Sequence, residues 1–254
     1  MADAPKRKKV TTRTLAKKMA EGEQIVEMAI YDYRSAVIAD REDIDILCVS
    51  DTGGMILFGH QSTVTVSFDE VMKCEGNVEH ARNIEAIVKA GIPVQGHIGV
   101  CPMRLAQMGG FFLQGKTAES AKSVIEDAHA FVDAGCFSIL CEVTSQEVTQ
   151  YLAETLPVPV ISLGAGNGAD GVHIITSDLF HLWEEHVPKH SKTYTDLIPI
   201  MEDVFSSYRD EVRQRIYPGP EHTGFMAEGE LEKFAKEMNW DSKLEELEKK
   251  KSGK

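Results

Sequence analysis

Short apolar runs that end in polar residues alternate with helical segments along most of this chain, and this rhythm limits the possible folds more than any other feature. The run at residues 46–49 ends in Ser50, Asp51 and Thr52, and two glycines follow. A short apolar run that is bounded in this way is typical of a buried strand. Strands that alternate with helices form parallel sheets, so the sequence predicts an α/β fold.

The same pattern recurs down the chain, with strands and helices of ordinary length. Predicted strands occupy residues 25–30, 44–49, 94–98, 137–140 and 158–163. Predicted helices occupy residues 11–22, 78–90, 117–134, 145–156 and 194–215. The chain of 254 residues is close to the length of about 250 that one (β/α)₈ barrel needs, which favours that architecture.

Polar side chains follow several of these runs at the position where the strand ends. Besides Asp51, these are Lys73, Glu75, His97 and Glu142. Each has a plain structural explanation when taken alone, since Asp51 can cap a turn and a histidine in an apolar run is usually a core residue. In a (β/α)₈ barrel, however, the carboxyl ends of the strands meet on one face and form the active site. The recurrence of polar residues at the same position in five places therefore favours an active site over five unrelated structural roles.

Composition narrows the classes of partner. The formal net charge of -13 argues against binding to nucleic acid or to an anionic membrane surface. No apolar run approaches the roughly 18 residues of a membrane span. The five cysteines have no paired spacing and mostly accompany apolar runs, which predicts buried free thiols in a reducing compartment.

The composition changes towards the carboxyl terminus. Residues 226–254 are rich in glutamate and lysine, with Leu231, Phe234 and Met238 at helical spacing. We therefore divide the chain into a barrel domain at residues 1–225 and a helical extension at residues 226–254.

Six sequence segments together resemble the ketopantoate hydroxymethyltransferase family over residues 25–223. The segments are Ala29-Ile30-Tyr31-Asp32-Tyr33, the residues from Ser50-Asp51-Thr52 to Gly59-His60-Gln61-Ser62-Thr63, Gly96-His97-Ile98-Gly99, Gly109-Gly110-Phe111 with Gln114-Gly115, Gly164-Ala165-Gly166-Asn167 with Asp170-Gly171, and Tyr217-Pro218-Gly219 with Glu221-His222. The resemblance implies a (β/α)₈ TIM barrel of the phosphoenolpyruvate/pyruvate type. It also implies a homo-oligomeric, cytoplasmic enzyme of pantothenate biosynthesis.

The resemblance further implies an aldol-type reaction with Mg²⁺ as cofactor. Hydroxymethyl transfer from 5,10-methylenetetrahydrofolate to 3-methyl-2-oxobutanoate would pass through an enolate and give 2-dehydropantoate. By their positions in the family motifs, Asp51 and Glu75 resemble the metal-side carboxylates, and Thr52 and Lys73 resemble residues that bind the substrate carboxylate. Carboxylate oxygens are suitable ligands for Mg²⁺, and lysine supplies a point charge for an acid.

His97 and Glu142 complete the set of residues that the resemblance implies. His97 resembles a residue that lines the substrate site, and Glu142 resembles the general base that removes the C3 proton. Cys141 and Val143 flank Glu142 with apolar side chains, which is consistent with a buried base.

The chain departs from the family between residues 66 and 73. Family members carry a strand–helix segment here with a second metal-ligating aspartate, whereas Val66 runs almost directly into Lys73 in this chain. We therefore expect an altered or incomplete strand 3 region. Two alternatives to the family reaction stay open: a paralogue with other enolate chemistry, such as a carbon–carbon lyase or hydrolase, and a non-catalytic homologue.

Overall fold

The computed structural model describes residues 9–49, 76–183 and 188–240, and the structural statements below concern those ranges. Within them, the strands are β1 (Ile25–Ala29), β2 (Ile46–Cys48), β3 (Gln95–Gly99), β4 (Ser138–Glu142), β5 (Val160–Leu163) and β6 (Gly171–Ile175). The helices are α1 (Thr12–Glu21), α2 (Tyr33–Arg41), α3 (Ala81–Lys89), α4 (Leu105–Met108), α5 (Ala118–Asp133), α6 (Gln146–Thr155), α7 (Thr176–Leu179), α8 (Ile198–Arg213) and α9 (Glu230–Glu237). Short 3₁₀ turns cover Val78–His80, Pro102–Arg104 and Pro220–His222.

The described strands form one parallel sheet in the order β2-β1-β6-β5-β4-β3. The first strand pairs with the last one, with Glu27 opposite His173. Across the sheet, the Gln95 Nε2 atom on β3 lies 2.9 Å from the Glu27 Oε2 atom on β1, although three strands separate β3 from β1. In a flat sheet four strand spacings amount to about 19 Å. The sheet is therefore strongly curved, and the predicted parallel α/β fold is confirmed as a half-barrel.

The two faces of the curved sheet pack against different partners. The outer face packs on helices α3, α5 and α6 through a large apolar cluster that includes Ile98, Phe131, Ile139, Leu152 and Val160. The inner face forms a smaller cluster of Leu15, Ile25, Leu140, Ile161 and Leu163. Because β4 and β5 are buried on both faces, they appear in the sequence as continuous apolar runs.

Local capping explains where several helices begin and end. Thr117 forms a capping box with Ser120 at the start of α5, and Gly135 follows the helix with φ +97°. Asp32, which belongs to one of the family segments, caps α2 by accepting hydrogen bonds from the Arg34 and Ser35 backbone N–H groups. The hydrogen bond from the Ser35 side chain also lowers the pKa of Asp32. In this structure that aspartate therefore has a capping role.

Strand β6 was absent from the sequence prediction. In the sequence, the glycine-rich segment Gly164-Ala165-Gly166-Asn167 directly follows the strand predicted at residues 158–163, and no helix separates β5 from β6 in the structure. The strand itself is short and alternates between a buried His173 and an exposed Val172. A polar residue at an inward position concealed the apolar alternation on which the prediction depended.

The chain divides into two compact units, Met1–Thr195 and Asp196–Lys254. The first unit contains the sheet. The second contains α8 and α9, and the helical spacing of Leu231 and Phe234 agrees with α9. Residues 241–254 of the predicted extension lie outside the described residues, and the predicted domain boundary at residue 225 stays a prediction.

Asp170 provides a test of the strand pairing between β5 and β6. Its half-buried carboxylate accepts a hydrogen bond from the Val160 backbone N–H at 2.8 Å, and burial raises its pKa above the ordinary 3.8. The folded state therefore loses stability as the pH rises from the pKa of Asp170 in the unfolded chain to its higher pKa in the folded chain, because the unfolded chain releases the proton more readily.

We expect Asp170→Asn to keep the acceptor and remove the buried charge. Relative to wild type, the variant should gain unfolding free energy as the pH rises from 4 to 7. The gain should be smaller than the roughly 1.4 kcal/mol that corresponds to each full unit of pKa shift, because solvent screens a half-exposed carboxylate. Urea unfolding at both pH values measures this gain. An identical difference between variant and wild type at the two pH values would contradict it.

Candidate active site

The carboxyl ends of β3 and β4 bring two of the predicted site residues together. His97 lies two residues before the end of β3, and Glu142 is the last residue of β4. The His97 Nε2 atom lies 2.9 Å from the Glu142 Oε2 atom, and both side chains are more than nine-tenths buried. A carboxylate next to an imidazole in a site shielded from water is a suitable arrangement for proton transfer.

The backbone around Glu142 is fixed on both sides. Its carbonyl accepts a hydrogen bond from the Val100 N–H at 2.8 Å, and the next residue, Val143, donates its N–H to the Leu163 carbonyl at 2.8 Å. Val143 has φ +46°, a left-handed conformation that is costly for a β-branched residue. Strain of this kind persists where the surrounding structure holds it, and it is concentrated at functional sites. The bonds from β3 and β5 supply that constraint here.

The two glycines of the Gly96-His97-Ile98-Gly99 segment allow the close approach of other groups. A Cβ atom on Gly96 would lie 2.7 Å from the Phe131 ring. Gly99 has φ +87°, and a Cβ atom there would lie 2.3 Å from the Glu142 carbonyl oxygen. The segment therefore packs β3 on α5 at one end and against the backbone of Glu142 at the other.

Four predicted site residues lie outside the described residues: Asp51, Thr52, Lys73 and Glu75. The described chain that flanks them lies at the carboxyl ends of the strands. Before them, β2 ends at Cys48, which pairs with Ala29. After them, the Gly76 N–H donates to the His97 carbonyl oxygen at 3.3 Å. The two described residues Cys48 and Gly76 therefore lie at the same end of the sheet, and Gly76 lies next to His97.

A second cluster of buried polar side chains lies inside the half-barrel and connects several strands. Glu27 accepts a hydrogen bond from the Gln95 amide at 2.9 Å, and its other oxygen lies 2.9 Å from the His173 Nδ1 atom. The same Gln95 nitrogen contacts the Ser138 hydroxyl at 3.0 Å. These contacts connect β1, β6, β3 and β4, and satisfied networks of this kind hold strands in a unique arrangement.

The sequence prediction missed this network. Glu27 and His173 each occupy the middle of a five-residue strand, where an inward-facing position is expected. The available signal was a single polar residue within each apolar run. It could be interpreted only once β6 had been recognised as the neighbour of β1.

The segment after β6 folds back to the end of β5. Asp178 is buried, and its carboxylate accepts hydrogen bonds from the Trp183 indole N–H at 2.8 Å and from the Ser191 hydroxyl. The His190 ring packs on Gly164, where a Cβ atom would lie 2.6 Å from the ring. The Gly164 turn of the family segments therefore receives a histidine side chain that the sequence prediction did not include.

The family segment around Tyr217 lies in the second compact unit. Its Tyr217 ring makes a tilted contact with the His222 ring at a centroid distance of 5.1 Å and an edge contact with the Tyr208 ring at 5.7 Å. A cavity of about 600 Å³ is formed within this unit, and its lining includes Val212, Arg215, Phe225 and Leu231.

Neither a metal centre nor a membrane span is found in the part of the chain that the structure describes. No three His, Cys, Asp or Glu residues group there in a way that could hold a metal ion. No helix there combines the length and the apolar character that crossing a bilayer requires.

Comparison with known proteins gives a consistent family match. The family model described as ketopantoate hydroxymethyltransferase matches residues 9–73 and 70–220. The 3-methyl-2-oxobutanoate hydroxymethyltransferase of Syntrophobacter fumaroxidans is 35% identical over 259 aligned residues, which cover 84% of this chain and 92% of the relative. The enzymes of the same name from Chloroflexus aggregans and Oleidesulfovibrio alaskensis are 34% and 32% identical, covering 88% and 85% of this chain and 96% and 91% of their own lengths.

A solved structure of 2,3-dimethylmalate lyase, described as a member of the PEP mutase/isocitrate lyase superfamily, also aligns. It has 12% sequence identity and a TM-score of 0.36, and the alignment covers 93% of this chain and 98% of that one. A score at this level supports no inference about the chemistry.

Proposed function

Since the chain belongs to the ketopantoate hydroxymethyltransferase family and is therefore a transferase, we propose that it makes 2-dehydropantoate from 3-methyl-2-oxobutanoate. The one-carbon donor is 5,10-methylenetetrahydrofolate. The names of the relatives favour this reaction over the two alternatives, a lyase or hydrolase with other enolate chemistry and a non-catalytic homologue. The observation that carries the proposal is the buried contact between His97 and Glu142 at the carboxyl ends of neighbouring strands.

Glu142 is the general base of the proposed reaction. Its carboxylate takes the proton from C3 of the keto acid, and the electron pair of that bond forms the enolate. Water hydrolyses the methylene group of the donor: both of its carbon–nitrogen bonds break, the two nitrogens take up the two protons of the water, and the carbon is released as formaldehyde carrying the water oxygen. C3 of the enolate then bonds to this carbon, and the resulting alkoxide takes the proton from Glu142 to become the new hydroxyl group. The products are 2-dehydropantoate and tetrahydrofolate.

His97 has two compatible tasks in this proposal. Its Nε2 atom, 2.9 Å from Glu142, fixes the orientation of the carboxylate. The family resemblance also assigns it to the substrate site, and the hydrogen bond from the Gly76 N–H to its carbonyl oxygen supports that proposal. Positioning a base within hydrogen-bond reach of its proton is a requirement for efficient general-base catalysis.

Asp51 and Glu75 are the residues that we propose to hold Mg²⁺, and Thr52 and Lys73 are those that we propose to hold the substrate carboxylate. The donor set fits, because two carboxylates provide the hard oxygen ligands that Mg²⁺ prefers. Cys48 is the last residue of β2, and the Gly76 N–H donates to the His97 carbonyl near the carboxyl end of β3, which supports this placement. When bound, the metal ion supplies a Lewis acid that polarises the keto group.

We further propose that the barrel lacks one strand–helix segment of the family. The family model matches in two pieces that meet at residues 70–73, next to the predicted gap after Val66. The alignment with the Syntrophobacter relative spans 259 positions. This chain has 254 residues, and only 84% of those residues are aligned. The alignment therefore contains positions of the relative that have no counterpart in this chain. Both observations support an altered strand 3 region in a (β/α)₈-type barrel.

We propose a homo-oligomer from an exposed apolar surface, and a cytoplasmic location from the state of the buried cysteines. Helix α8 exposes several large apolar side chains, and contiguous apolar surface is typical of an interface. They include Ile200, Met201, Val204, Phe205 and Tyr208. Among the described residues, the buried cysteines Cys101, Cys136 and Cys141 form no disulfide, as is usual in a reducing compartment. Burial raises the pKa of the Cys141 thiol to about 12, so this cysteine is a core residue without nucleophilic character.

The first half of the reaction can be tested without the folate donor. The protein is incubated with 3-methyl-2-oxobutanoate in D₂O, with Mg²⁺ or with EDTA, and the C3 proton is followed by NMR. We expect exchange that depends on both protein and metal ion. Exchange no faster than in a protein-free sample would contradict the proposed base and metal site.

We expect Asp51→Ala to weaken Mg²⁺-dependent binding of the keto acid, because the site would lose a charged oxygen ligand. Removing a metal ligand should cost at least as much as the roughly 10- to 100-fold lost when a ligand's supporting residue is mutated. Calorimetric titration of the keto acid at several Mg²⁺ concentrations measures the change. If wild type and variant bind equally well with and without Mg²⁺, the assignment of Asp51 is wrong.

A further inference from the structure

We propose that the loop between β3 and α5 is the binding platform for the folate donor, with Phe112 stacking on its pterin ring and Lys116 facing its glutamate tail. This inference rests on the proposed function, since it concerns the second substrate of that reaction. Nothing in the proposed roles of Asp51, Thr52, Lys73, Glu75, His97 and Glu142 accounts for this substrate. The loop comprises residues 100–117, and it is hereafter called the β3–α5 loop.

The β3–α5 loop is placed at the mouth of the site. It leaves the carboxyl end of β3 after Gly99, on the face where barrel enzymes build their active sites. Connections between a strand and a helix in such folds usually have about 2–6 residues, and much longer ones are commonly functional. This loop exceeds that length and contains only the short helical turns Pro102–Arg104 and Leu105–Met108.

Backbone hydrogen bonds hold the end of this loop beside the catalytic base. The Gln114 N–H donates to the Val143 carbonyl at 2.9 Å, and the Ser145 N–H donates to the Gln114 carbonyl at 2.9 Å. The Ser145 hydroxyl also donates to the Gly115 carbonyl at 2.9 Å. The loop thus pairs with the residues directly after Glu142, so a ligand on its surface lies close to the carbon that Glu142 deprotonates.

Three consecutive large apolar side chains of the loop face solvent. Phe111, Phe112 and Leu113 are 51%, 61% and 46% exposed. Adjacent exposed residues of this kind mark a binding surface more often than isolated ones do. Their position one to three residues before Gln114 places them at the rim of the site.

The Phe112 residue has two contacts within its own loop. It packs against Gly110, where a Cβ atom would lie 2.8 Å from the ring, and Gly110 itself has φ +130°. The Gln114 side-chain amide donates to the Phe112 carbonyl at 2.7 Å. A rigid aromatic face loses little conformational entropy on binding, which suits it to stack on a planar ligand.

The chemistry of the donor matches both features of the loop. Its reduced pterin and its aminobenzoyl group are flat and largely apolar, and an aromatic side chain offers them a stacking surface. Its glutamate tail is anionic at neutral pH. Lys116, which is exposed on the same loop, provides a local positive charge on a chain whose net charge is -13. Because the chain is negatively charged overall, most of its surface repels anions, so an anionic tail is attracted only where a lysine such as Lys116 is exposed.

The test separates the donor step from the enolate step. In Phe112→Ala we expect the KM for 5,10-methylenetetrahydrofolate to rise roughly 5- to 150-fold, the effect typical of removing one stacking aromatic side chain. The rate of C3 proton exchange, which needs no donor, should stay within about twofold of wild type, since Phe112 does not contact His97 or Glu142 in the proposed scheme. Tyr151→Ala, which removes an exposed aromatic side chain from α6, is the matched control and should leave both values unchanged.

Binding of unreactive tetrahydrofolate, measured by fluorescence quenching, provides a second readout. Phe112→Ala should raise the Kd for tetrahydrofolate by the same factor by which it raises the KM. Lys116→Gln should also raise this Kd, and the difference from wild type should become smaller at high salt concentration because salt screens the charge. An unchanged KM and Kd in Phe112→Ala would overturn the inference. A change in oligomer mass by light scattering would overturn it too, because the loop would then be a subunit interface. If the wild-type protein exchanges the C3 proton but transfers no hydroxymethyl group, the proposed function fails and this inference fails with it.

Discussion

Replacing Glu142 with glutamine is expected to abolish C3 proton exchange while the keto acid still binds. Glutamine keeps the shape of the side chain and can still lie beside His97, but it cannot accept the proton. General-base catalysis contributes about 10²- to 10⁴-fold, so the exchange rate should fall by at least 100-fold. NMR in D₂O measures the exchange, and calorimetry in the same buffer measures keto-acid binding.

A matched variant controls for the loss of a negative charge. Glu147→Gln changes an exposed carboxylate in the first turn of α6, five residues along the chain from Glu142. It should exchange the C3 proton at the wild-type rate. If Glu142→Gln and Glu147→Gln both keep full exchange, then Glu142 is not the base. If both lose exchange equally, the effect is one of net charge.

Replacing Gly99 with alanine should damage both the fold and the site. Alanine at φ +87° costs about 1–2 kcal/mol by itself. The new Cβ atom would also meet the Glu142 carbonyl oxygen at 2.3 Å and the Thr144 hydroxyl at 2.5 Å, so the β3–β4 pairing must move. We expect the free energy of unfolding to fall by about 2–4 kcal/mol in total. Because a displacement of about 1 Å can cost 100-fold in rate, C3 exchange should fall by a similar factor.

Gly91→Ala separates the two contributions to this effect. Gly91 also has φ +87°, but a Cβ atom there meets no other atom within 4 Å. Its replacement should cost only the conformational part, about 1–2 kcal/mol, and should leave the exchange rate unchanged. Urea unfolding and the exchange assay compare the two variants directly. Equal effects of the two substitutions on exchange would show that the contact between Gly99 and Glu142 does not position the base.

The central strands could be predicted because their signals are local. β4 is a short apolar run that ends in a glutamate, and burial on both faces produces such runs directly. β3 has His97 between the apolar residues Val94 and Ile98. For the same reason, His97 and Glu142 could be singled out before their distance was known. A parallel sheet brings the ends of neighbouring strands together, and the structure shows the two side chains in contact.

Other features depend on the three-dimensional path of the chain and could not be read from local patterns. The Gln95–Glu27 contact exists because the sheet curves and brings β3 close to β1, which are 68 residues apart in sequence. The positive φ of Val143 runs against the preference of a β-branched residue, and neighbouring strands impose it. β6 was missed because a buried histidine interrupts its apolar alternation, and its pairing with Glu27 became visible only in the folded sheet.

The region between residues 50 and 75 is central to the proposed site. It contains four of the six proposed site residues and the position where a strand–helix segment of the family is proposed to be missing. The central claim is that the hydroxymethyl transfer of the family survives in this shortened chain. His97, Glu142 and the flanking bond from Gly76 to β3 are the structural support for that claim.

The most direct test is product formation by the wild-type protein. The chain is incubated with 3-methyl-2-oxobutanoate, Mg²⁺ and 5,10-methylenetetrahydrofolate labelled with ¹³C at the methylene carbon, and the label is followed by NMR. The account predicts that the ¹³C signal moves to the hydroxymethyl carbon of 2-dehydropantoate, and that EDTA prevents this. Label that stays on the folate, in protein that binds the keto acid and exchanges its C3 proton, would contradict the claim and leave an enzyme that forms the enolate for another reaction.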